Sequence, residues 1–353
     1  MERLSLETQT LYAEFLAQLL ASAPHRSIGR ASGCFTTKTV KGETYYYFQY
    51  SDPGGHARQA YLGKRTSELD QVVHQFQQER ADVTLETRHV QRLCAQLRIG
   101  GALHTEPAPA RILKAFADAG VFQLGGVLIG TQAFGLLGNL LGVHWSGAFL
   151  KTHDIDIAGY QVLRIALPDL QADVPKILES LQMGFLPVPP LNRKHPSTSF
   201  KVRGAALRVD FVTPQQRPRM GSPVLISRFN VAAQPLPNLG YLLEDSQPAG
   251  VVSGGGVLVT VPNPARYALH KLLISRSRPV TDHTKIEKDL HQAAQLIDVL
   301  ASDRPGDLQL AWTALIRKDN GSRKKIVAAI TVLETRFPEI HHNFLAAIPA
   351  LRS

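Results

Sequence analysis

The feature that most constrains the fold is a short strand of alternating residues near the middle of the chain. Residues 152–157 read Thr-His-Asp-Ile-Asp-Ile. Because successive side chains of a strand point to opposite faces, this alternation puts Asp154 and Asp156 on one face and Ile155 and Ile157 in the core. The two carboxylates then lie about 7 Å apart along the strand, a spacing at which carboxylate oxygens can hold divalent cations.

Two further segments extend this pattern. Upstream, an apolar strand ends and a helix begins at Gly130-Thr131; a helix N-terminus offers free N–H groups and a positive dipole end, and small residues let a phosphate come close. Downstream, the apolar strand 207–212 carries a single acid, Asp210, which can stand beside the first two if the strands are neighbours. Three clustered carboxylates repel one another without cations, so the pattern favours a two-metal site for displacement at phosphorus.

The rest of the chain predicts an α+β fold in three parts. We expect an N-terminal helix and β-meander module over residues 1–108, with a turn at 52–55 and a linker at 100–110. A long helix from Ser67 to Leu97 should turn Val72 and other apolar residues inward. A core over 109–219 alternates strands, including 121–130 and 164–167, with helices, which indicates a mixed sheet with helices mainly on one face. In this core we expect His153 to flank the metal site without ligating it. Residues 220–353 predict one or two strands, including one at 240–245, followed by helices, the first of which starts at Pro264.

Composition limits the class of protein. Thirty-nine Lys and Arg against twenty-nine Asp and Glu give a net charge of +10, which favours polyanionic partners. Two cysteines, not arranged as a close pair, exclude a disulfide scaffold and favour a reducing cytoplasmic location. The glycine-rich stretch 124–145 is interrupted by polar residues, so we expect no membrane span.

The N-terminal meander interleaves basic and aromatic residues, and this pattern has two interpretations. A basic, aromatic sheet can stack bases and follow phosphates, and the pattern faintly resembles strand modules of some transposases and integrases. Alternatively, the aromatic side chains are core against the following helix. The residues concerned are Lys38, Lys41, Arg58, Lys64 and Arg65, with Tyr45, Tyr46, Tyr47, Phe48, Tyr50 and Tyr61.

The order strand–Gly130-Thr131–helix, then Asp154-x-Asp156, then Asp210 resembles the DNA polymerase β-like nucleotidyltransferase superfamily. The local sequence motifs resemble those of an uncharacterised bacterial branch known as nucleotidyltransferase-fold proteins. The motifs that carry this resemblance are LIGTQAF (128–134), T-x-DIDI (152–157), RVDFVTP (208–214), VP-x-PARYALHKL (261–272) and K-x-x-KDL-x-QA (285–293). Thr131 stands where the superfamily commonly has Ser, and the spacing from Thr131 to Asp154 is longer than in minimal members.

The resemblance implies transfer of a nucleoside monophosphate from an NTP to a hydroxyl acceptor, with release of pyrophosphate. Asp154, Asp156 and Asp210 would be the catalytic residues and would hold two Mg²⁺ ions, with Asp210 also helping to deprotonate the acceptor. Gly130 and Thr131 would bind the nucleotide phosphates. The downstream helices would add basic contacts to the triphosphate, from Lys271 as first choice and from Arg276, Lys285 and Lys288; RNA or DNA, held by the N-terminal module, are candidate acceptors.

Two alternatives stay open. The first is a nucleic-acid-binding or regulatory protein that keeps the nucleotidyltransferase fold with little catalysis. The second is a toxin-type enzyme that modifies tRNA or a protein, supported by analogy alone. The presence of all three acids favours an active enzyme over the first alternative.

Overall fold

A computed structural model describes most of the chain. The described residues are 1–23, 33–51, 57–147, 154–160, 172–190, 192, 195–216, 221–279, 281–317 and 320–351. Three sequence expectations lie outside them: His153 as a neighbour of the metal site, the turn at 52–55 and a strand at 164–167.

The N-terminal part contains the predicted helices and three-stranded meander. The meander is antiparallel in the order β2-β3-β4, and a short strand β1 pairs with β6 of the central part. The elements are β1 Glu2–Arg3, α1 Leu6–Ser22, β2 Cys34–Val40, β3 Glu43–Ser51, β4 Ala57–Lys64 and α2 Ser67–Ile99. Ser5 and Thr66 accept backbone N–H bonds at the starts of α1 and α2, which explains where both helices begin.

The central part builds a mixed sheet, as predicted. Its main order is β11-β12-β10-β7-β5, and β9 with β8 extends from β10. Strand β7 lies parallel to β10 and antiparallel to β5. The elements are α3 Pro107–Asp118, β5 Val127–Ile129, α4 Gly130–Leu141, β6 Val143–His144, β7 Asp154–Ala158, α5 Val174–Ser180, β8 Phe185–Pro187, β9 Ser199–Val202, β10 Arg208–Pro214, β11 Val224–Ile226 and β12 Val231–Leu236.

The last part is mainly helical, as predicted. The hairpin β13–β14 precedes five consecutive helices. The elements are α6 Leu239–Leu243, β13 Gln247–Val251, β14 Val257–Val261, α7 Pro264–Ser275, α8 His283–Asp303, α9 Pro305–Ile316, α10 Asn320–Arg336 and α11 Pro338–Ala347. Pro264 occupies the first turn of α7, where its missing N–H costs no hydrogen bond.

Five local predictions were wrong. The described residues of 220–353 contain four strands, β11 to β14, where one or two were expected, because β11 and β12 complete the central sheet. The strand expected at 240–245 is the one-turn helix α6, because its apolar run is buried on several sides and a run this short has no diagnostic period. The strand expected over 121–130 shortens to β5, since Gly120 and Gly125 take positive φ and form turns. The linker ends where α3 begins at Pro107. Val72, expected inside, is 42% exposed on α2.

Two apolar clusters hold the described elements together. The larger one runs from Ile112 to Ile348 and combines the sheet with the C-terminal helices. The smaller one joins α1 and α2 to Val252 in the β13–β14 hairpin. The domain boundaries after residues 108 and 219 stay a prediction.

In the part of the chain that the structure describes, no helix combines the length and apolar character that crossing a membrane requires.

Candidate active site

The strand register brings the three predicted aspartates together. In the parallel pair β7–β10, Asp156 lies directly opposite Asp210 and Asp154 lies opposite Arg208. Since paired residues of neighbouring strands share a face, four charged side chains lie on one face of this pair. The Gly130-Thr131 turn adjoins them, because Ile129, the last residue of β5, pairs with Asp156.

Gly130 is the residue that lets the turn approach the carboxylates. It opens α4 with φ of +67°, a left-handed conformation that residues with a Cβ rarely adopt. A Cβ at this position would lie 3.0 Å from Cγ of Asp156 and closer still to its Oδ2. The following Thr131 is buried. The close approach of backbone and carboxylate therefore depends on glycine.

Asp156 is the most perturbed carboxyl of the site. Its pKa is raised to about 6, first by burial and then by the negative charges of Asp210 and Asp154, while Lys271 and Lys288 act in the opposite direction. Asp154, by contrast, is exposed. A carboxyl pKa that is raised by burial and like charge is typical of a functional site where a bound cation would offset the negative charge.

Asp210 is held from one side. Arg208 Nε donates to Asp210 Oδ1 at 2.8 Å, and the Ser199 hydroxyl donates to the same oxygen. Arg208 also donates to Ser199 Oγ at 2.9 Å. Because the bonds from these two residues meet at Oδ1, they fix the orientation of the carboxylate.

Lys271 lies at the site but is engaged in a buried ion pair. Its Nζ donates to Asp289 Oδ1 at 2.8 Å, and Arg278 Nε donates to Asp289 Oδ2 at 2.6 Å. The Lys271 and Asp289 side chains are only 11% and 3% exposed. The predicted first choice for the triphosphate thus joins α7 to α8, and its charge acts on Asp156 from inside the protein.

Of the two basic residues predicted on α8, Lys288 is the one whose charge interacts with the carboxylates Asp154 and Asp156. Burial and Lys271 lower its pKa, against the opposing influence of Asp289, Asp154 and Asp156. Lys285 is exposed and forms a long pair of 3.8 Å with Asp282. Arg276 is exposed at the end of α7. The structure thus brings Lys271 and Lys288 to the carboxylates and gives no contact that brings Lys285 or Arg276 there.

Tyr267 connects the C-terminal helices to the Gly130-Thr131 turn. Its buried hydroxyl donates to the Gly130 carbonyl oxygen at 2.8 Å and lies 3.5 Å from Gln292 Oε1. Burial, with the nearby charges of Asp289 and Asp156, raises the pKa of Tyr267 well above its usual value, so the hydroxyl keeps its proton. The helix that carries Lys271 therefore also fixes the start of α4.

Sequence reasoning missed four residues of this arrangement: Arg208, Ser199, Tyr267 and Asp289. A signal existed for Arg208, because it stands two residues before Asp210 in an alternating strand and must share its face. Tyr267 and Asp289 lie within the motifs 261–272 and 285–293, but periodicity does not show which polar residue of a helix is buried. Ser199 is recognised only from its pairing with Asp210.

Whether the site suits Mg²⁺ depends on the chemistry and the arrangement of its donor atoms. Carboxylate oxygens are the ligands that Mg²⁺ prefers, and burial, together with the like charges of Asp210 and Asp154, raises the pKa of Asp156. Among the described residues, however, no three His, Cys, Asp or Glu side chains are grouped so that they could surround an ion as they stand. The donor chemistry fits the metal, and binding would require side chains to turn toward it.

Comparisons with known proteins found one family model and one solved structure that are similar to this chain. A model of a family described as nucleotidyltransferase matches residues 108–317. An antigenic nucleotidyltransferase-like protein from Paracoccidioides brasiliensis has a solved structure that is similar over 64% of this chain and 94% of its own, at 15% identity and a TM-score of 0.35. No curated protein matches the sequence significantly.

The assignment rests on the family model alone. Its match covers more than half of the chain, and it contains the Gly130-Thr131 turn, the three aspartates and the helices α7 and α8. The predicted superfamily is confirmed: this chain belongs to the nucleotidyltransferase family.

Proposed function

We propose that this protein is a metal-dependent nucleotidyltransferase that moves a nucleoside monophosphate from an NTP to a hydroxyl acceptor and releases pyrophosphate. The observation that carries the proposal is the register that sets Asp156 beside Asp210, with Asp154 on the same face and the start of α4 next to them. This arrangement combines an anion site with a carboxylate cluster, which phosphoryl chemistry requires.

The NTP phosphates would bind at the start of α4. The first turn of a helix has backbone N–H groups without partners in the helix, and Gly130 leaves room for a close approach. Lys288 would supply positive charge from α8, where its side chain acts on Asp154 and Asp156. Lys271 would act at longer range, because its ammonium group is already paired with Asp289.

Asp210 would serve the acceptor hydroxyl. Arg208 and Ser199 hold Oδ1, so Oδ2 is the atom that can accept the hydroxyl proton as the oxygen attacks the α-phosphorus. Asp154, Asp156 and Asp210 would hold two Mg²⁺ ions, which when bound stabilise the attacking and leaving oxygens.

Two observations favour the alternative of a protein with little catalysis. Arg208 supplies a fixed positive charge on the carboxylate face, and the acids are not already grouped around a metal position within the described residues. Under this alternative, Arg208 would replace part of the metal charge, and the fold would bind nucleotide or nucleic acid without transfer.

Label transfer separates the two functions. The protein is incubated with Mg²⁺ and each α-labelled NTP in the presence of mixed RNA and protein acceptors, and transferred label and pyrophosphate are measured. We expect label on an acceptor with α-labelled NTP, none with γ-labelled NTP, and a loss of at least about 100-fold in Asp210→Asn. Transfer that survives unchanged in Asp210→Asn would contradict the assigned site.

A further inference from the structure

The N-terminal meander has two different faces. Paired residues of β2, β3 and β4 share a face, and Tyr47 pairs with both Thr36 and Tyr61. Tyr45, which pairs with Lys38, lies on the same side. We call the surface formed by Lys38, Tyr45, Tyr47 and Tyr61 the tyrosine face.

The opposite face accounts for the core of the module. Phe35 and Phe48 pack edge-on against Phe76 of α2, with ring centroids 5.0 and 5.9 Å away. The hydroxyl of buried Tyr46 donates to Asp70 Oδ1 at 2.6 Å. Helix α2 therefore covers this face, and the aromatic residues of the tyrosine face are not needed for that core. The interpretation of the aromatic residues as core holds for this face, and the nucleic-acid interpretation stays a hypothesis for the tyrosine face.

The tyrosine face is a cluster of three rings, of which Tyr61 is open to solvent and Tyr45 and Tyr47 are half-buried. The Tyr61 ring lies 5.5 Å from that of Tyr47 and 6.1 Å from that of Tyr45, measured between centroids. Tyr61 is nevertheless 61% exposed. Lys38 is exposed, with its Nζ 4.7 Å from the Tyr47 ring centroid and 2.8 Å from Gln59 Oε1. A cation beside adjacent rings at a surface offers both stacking and charge.

Charge in the three strands and the turn joining β2 to β3 is positive. Among their described residues, four are basic and one is acidic, which leaves an excess of three positive charges. The basic residues are Lys38, Lys41, Arg58 and Lys64, and the acid is Glu43, which pairs with Lys64 at 2.7 Å. Lys38, Lys64 and Glu43 lie on the tyrosine face and give it an excess of one positive charge, whereas Lys41 lies in the turn and Arg58 pairs with Tyr50 on the opposite face. A positive surface with an exposed ring matches a polyanion whose planar groups are free to stack.

We propose that the tyrosine face binds single-stranded nucleic acid, with unpaired bases stacked on Tyr61 and its neighbours and phosphates drawn to the basic residues. Single strands are favoured over a duplex because stacking on a side-chain ring requires a base whose own face is free. The proposal concerns a surface separate from the carboxylate cluster, so it holds or fails independently of nucleotidyl transfer.

The test is fluorescence anisotropy of the full chain, without NTP or Mg²⁺, against labelled oligonucleotides of about 16 nucleotides, a length within the site size of stacking proteins. Single-stranded RNA, single-stranded DNA and the matching duplexes are compared at low and moderate salt. The variants are Tyr61→Ala, Tyr61→Phe and Lys38→Gln. Tyr50→Ala is the matched control, since Tyr50 is 39% exposed but stacks with Phe48 on the opposite face.

We expect at least one kind of single strand to bind more tightly than its duplex. Tyr61→Ala should weaken binding about tenfold or more, Tyr61→Phe should retain it because the ring remains, and Tyr50→Ala should change it little. Lys38→Gln should reduce the dependence of affinity on salt. Thermal melts of each variant check that the module is folded.

Four results would overturn the proposal. They are absence of binding at low salt, equal affinity for duplex, a Tyr61→Ala variant that binds as well as the parent, and equal losses in Tyr61→Ala and Tyr50→Ala. Self-association that depends on Tyr61, in the absence of nucleic-acid binding, would assign the tyrosine face to a second copy of the chain instead.

Discussion

At the scale of single residues, Asp156 carries a charge that the folded protein tolerates poorly. Its pKa in the folded state is about 6, whereas an aspartate in an unfolded chain titrates near 3.9. Between about pH 4 and pH 6 the folded state therefore binds more protons than the unfolded state, and the free energy of unfolding falls as pH rises. Above that window the metal-free protein bears the full cost of the ionised carboxylate.

This cost predicts that Asp156→Asn stabilises the metal-free protein at high pH. We expect the variant to exceed the parent by about 2 kcal/mol in unfolding free energy at pH 8, since each pKa unit corresponds to about 1.4 kcal/mol and partial exposure reduces the sum. The difference should vanish near pH 4. Urea unfolding at several pH values measures it, and a difference that does not depend on pH would contradict the burial of this charge.

Gly130 allows a second prediction with a matched control. Gly130→Ala places a Cβ both in a left-handed backbone and against the Asp156 carboxylate. Gly204 has φ of +76° with no atom within 4 Å of an added Cβ, so Gly204→Ala measures backbone strain alone, about 1–2 kcal/mol. We expect Gly130→Ala to cost at least about 1 kcal/mol more and to abolish NTP binding, as measured by urea unfolding and calorimetry. Equal costs with NTP binding retained would contradict the close approach.

At the scale of elements, the pair α7–α8 is joined by a buried charge network. Asp289 accepts from both Lys271 and Arg278, and removing the shared acid leaves two cations without their partner. Asp289→Ala should therefore lower the unfolding free energy by about 3–5 kcal/mol.

Glu287→Ala on the same helix is the control. Glu287 forms a two-bond pair with Arg336, but both side chains are more than a third exposed, so its loss should cost only about 0–1 kcal/mol. Thermal and urea unfolding compare the two variants. Similar losses would mean that Asp289 is not buried between the two helices.

The elements themselves were largely predictable, and the reasons differ between them. Long amphipathic segments such as α2 and α8 and the alternating strand β7 have clear periods, and the structure contains them. The helix α6 has five residues, fewer than two turns, so it has no period to detect. The placement of Asp154, Asp156 and Asp210 on one face followed from alternation and one assumption, that their strands are neighbours, which the register of β7 and β10 satisfies.

Contacts between distant segments were not predictable in the same way. The Tyr267 hydroxyl reaches the Gly130 carbonyl across 137 positions of sequence, and no local pattern encodes such a pairing. The same holds for Lys271, whose sequence context suggested a ligand contact while the fold pairs it with Asp289. The local sequence pattern predicted the three carboxylates. Tertiary packing determines which basic residues can interact with them and which are paired elsewhere, as Lys271 is with Asp289.

At the scale of the whole molecule, the N-terminal helices are packed into the rest of the chain. Phe15 is fully buried, and an added Cβ at Gly256 would lie 2.8 Å from Cε2 of Phe15 and 2.9 Å from Cγ1 of Val90. Tyr12 exchanges hydrogen bonds of 3.1 Å with both backbone groups of Gly250. Helices α1 and α2 therefore share a core with the β13–β14 hairpin.

This shared core predicts one cooperative unfolding transition that responds to Phe15. Phe15→Ala should cost about 3–5 kcal/mol and lower the Tm of the whole transition. Leu6→Ala, at a position 75% exposed on the same helix, should change it little. Differential scanning calorimetry distinguishes the outcomes: two separate transitions, of which only one shifts, would show that the N-terminal part unfolds independently.

The proposed function depends above all on whether the carboxylate face and the start of α4 form a working nucleotide site. Isothermal titration of each NTP into the full chain, with Mg²⁺ and then with EDTA, tests this directly. We predict binding of at least one NTP that requires Mg²⁺ and is lost in Asp154→Asn, with Asp118→Asn, a surface acid paired with Lys114, behaving as the parent. Absence of binding by every NTP, or binding that is equal in EDTA and in Asp154→Asn, would contradict the proposed site.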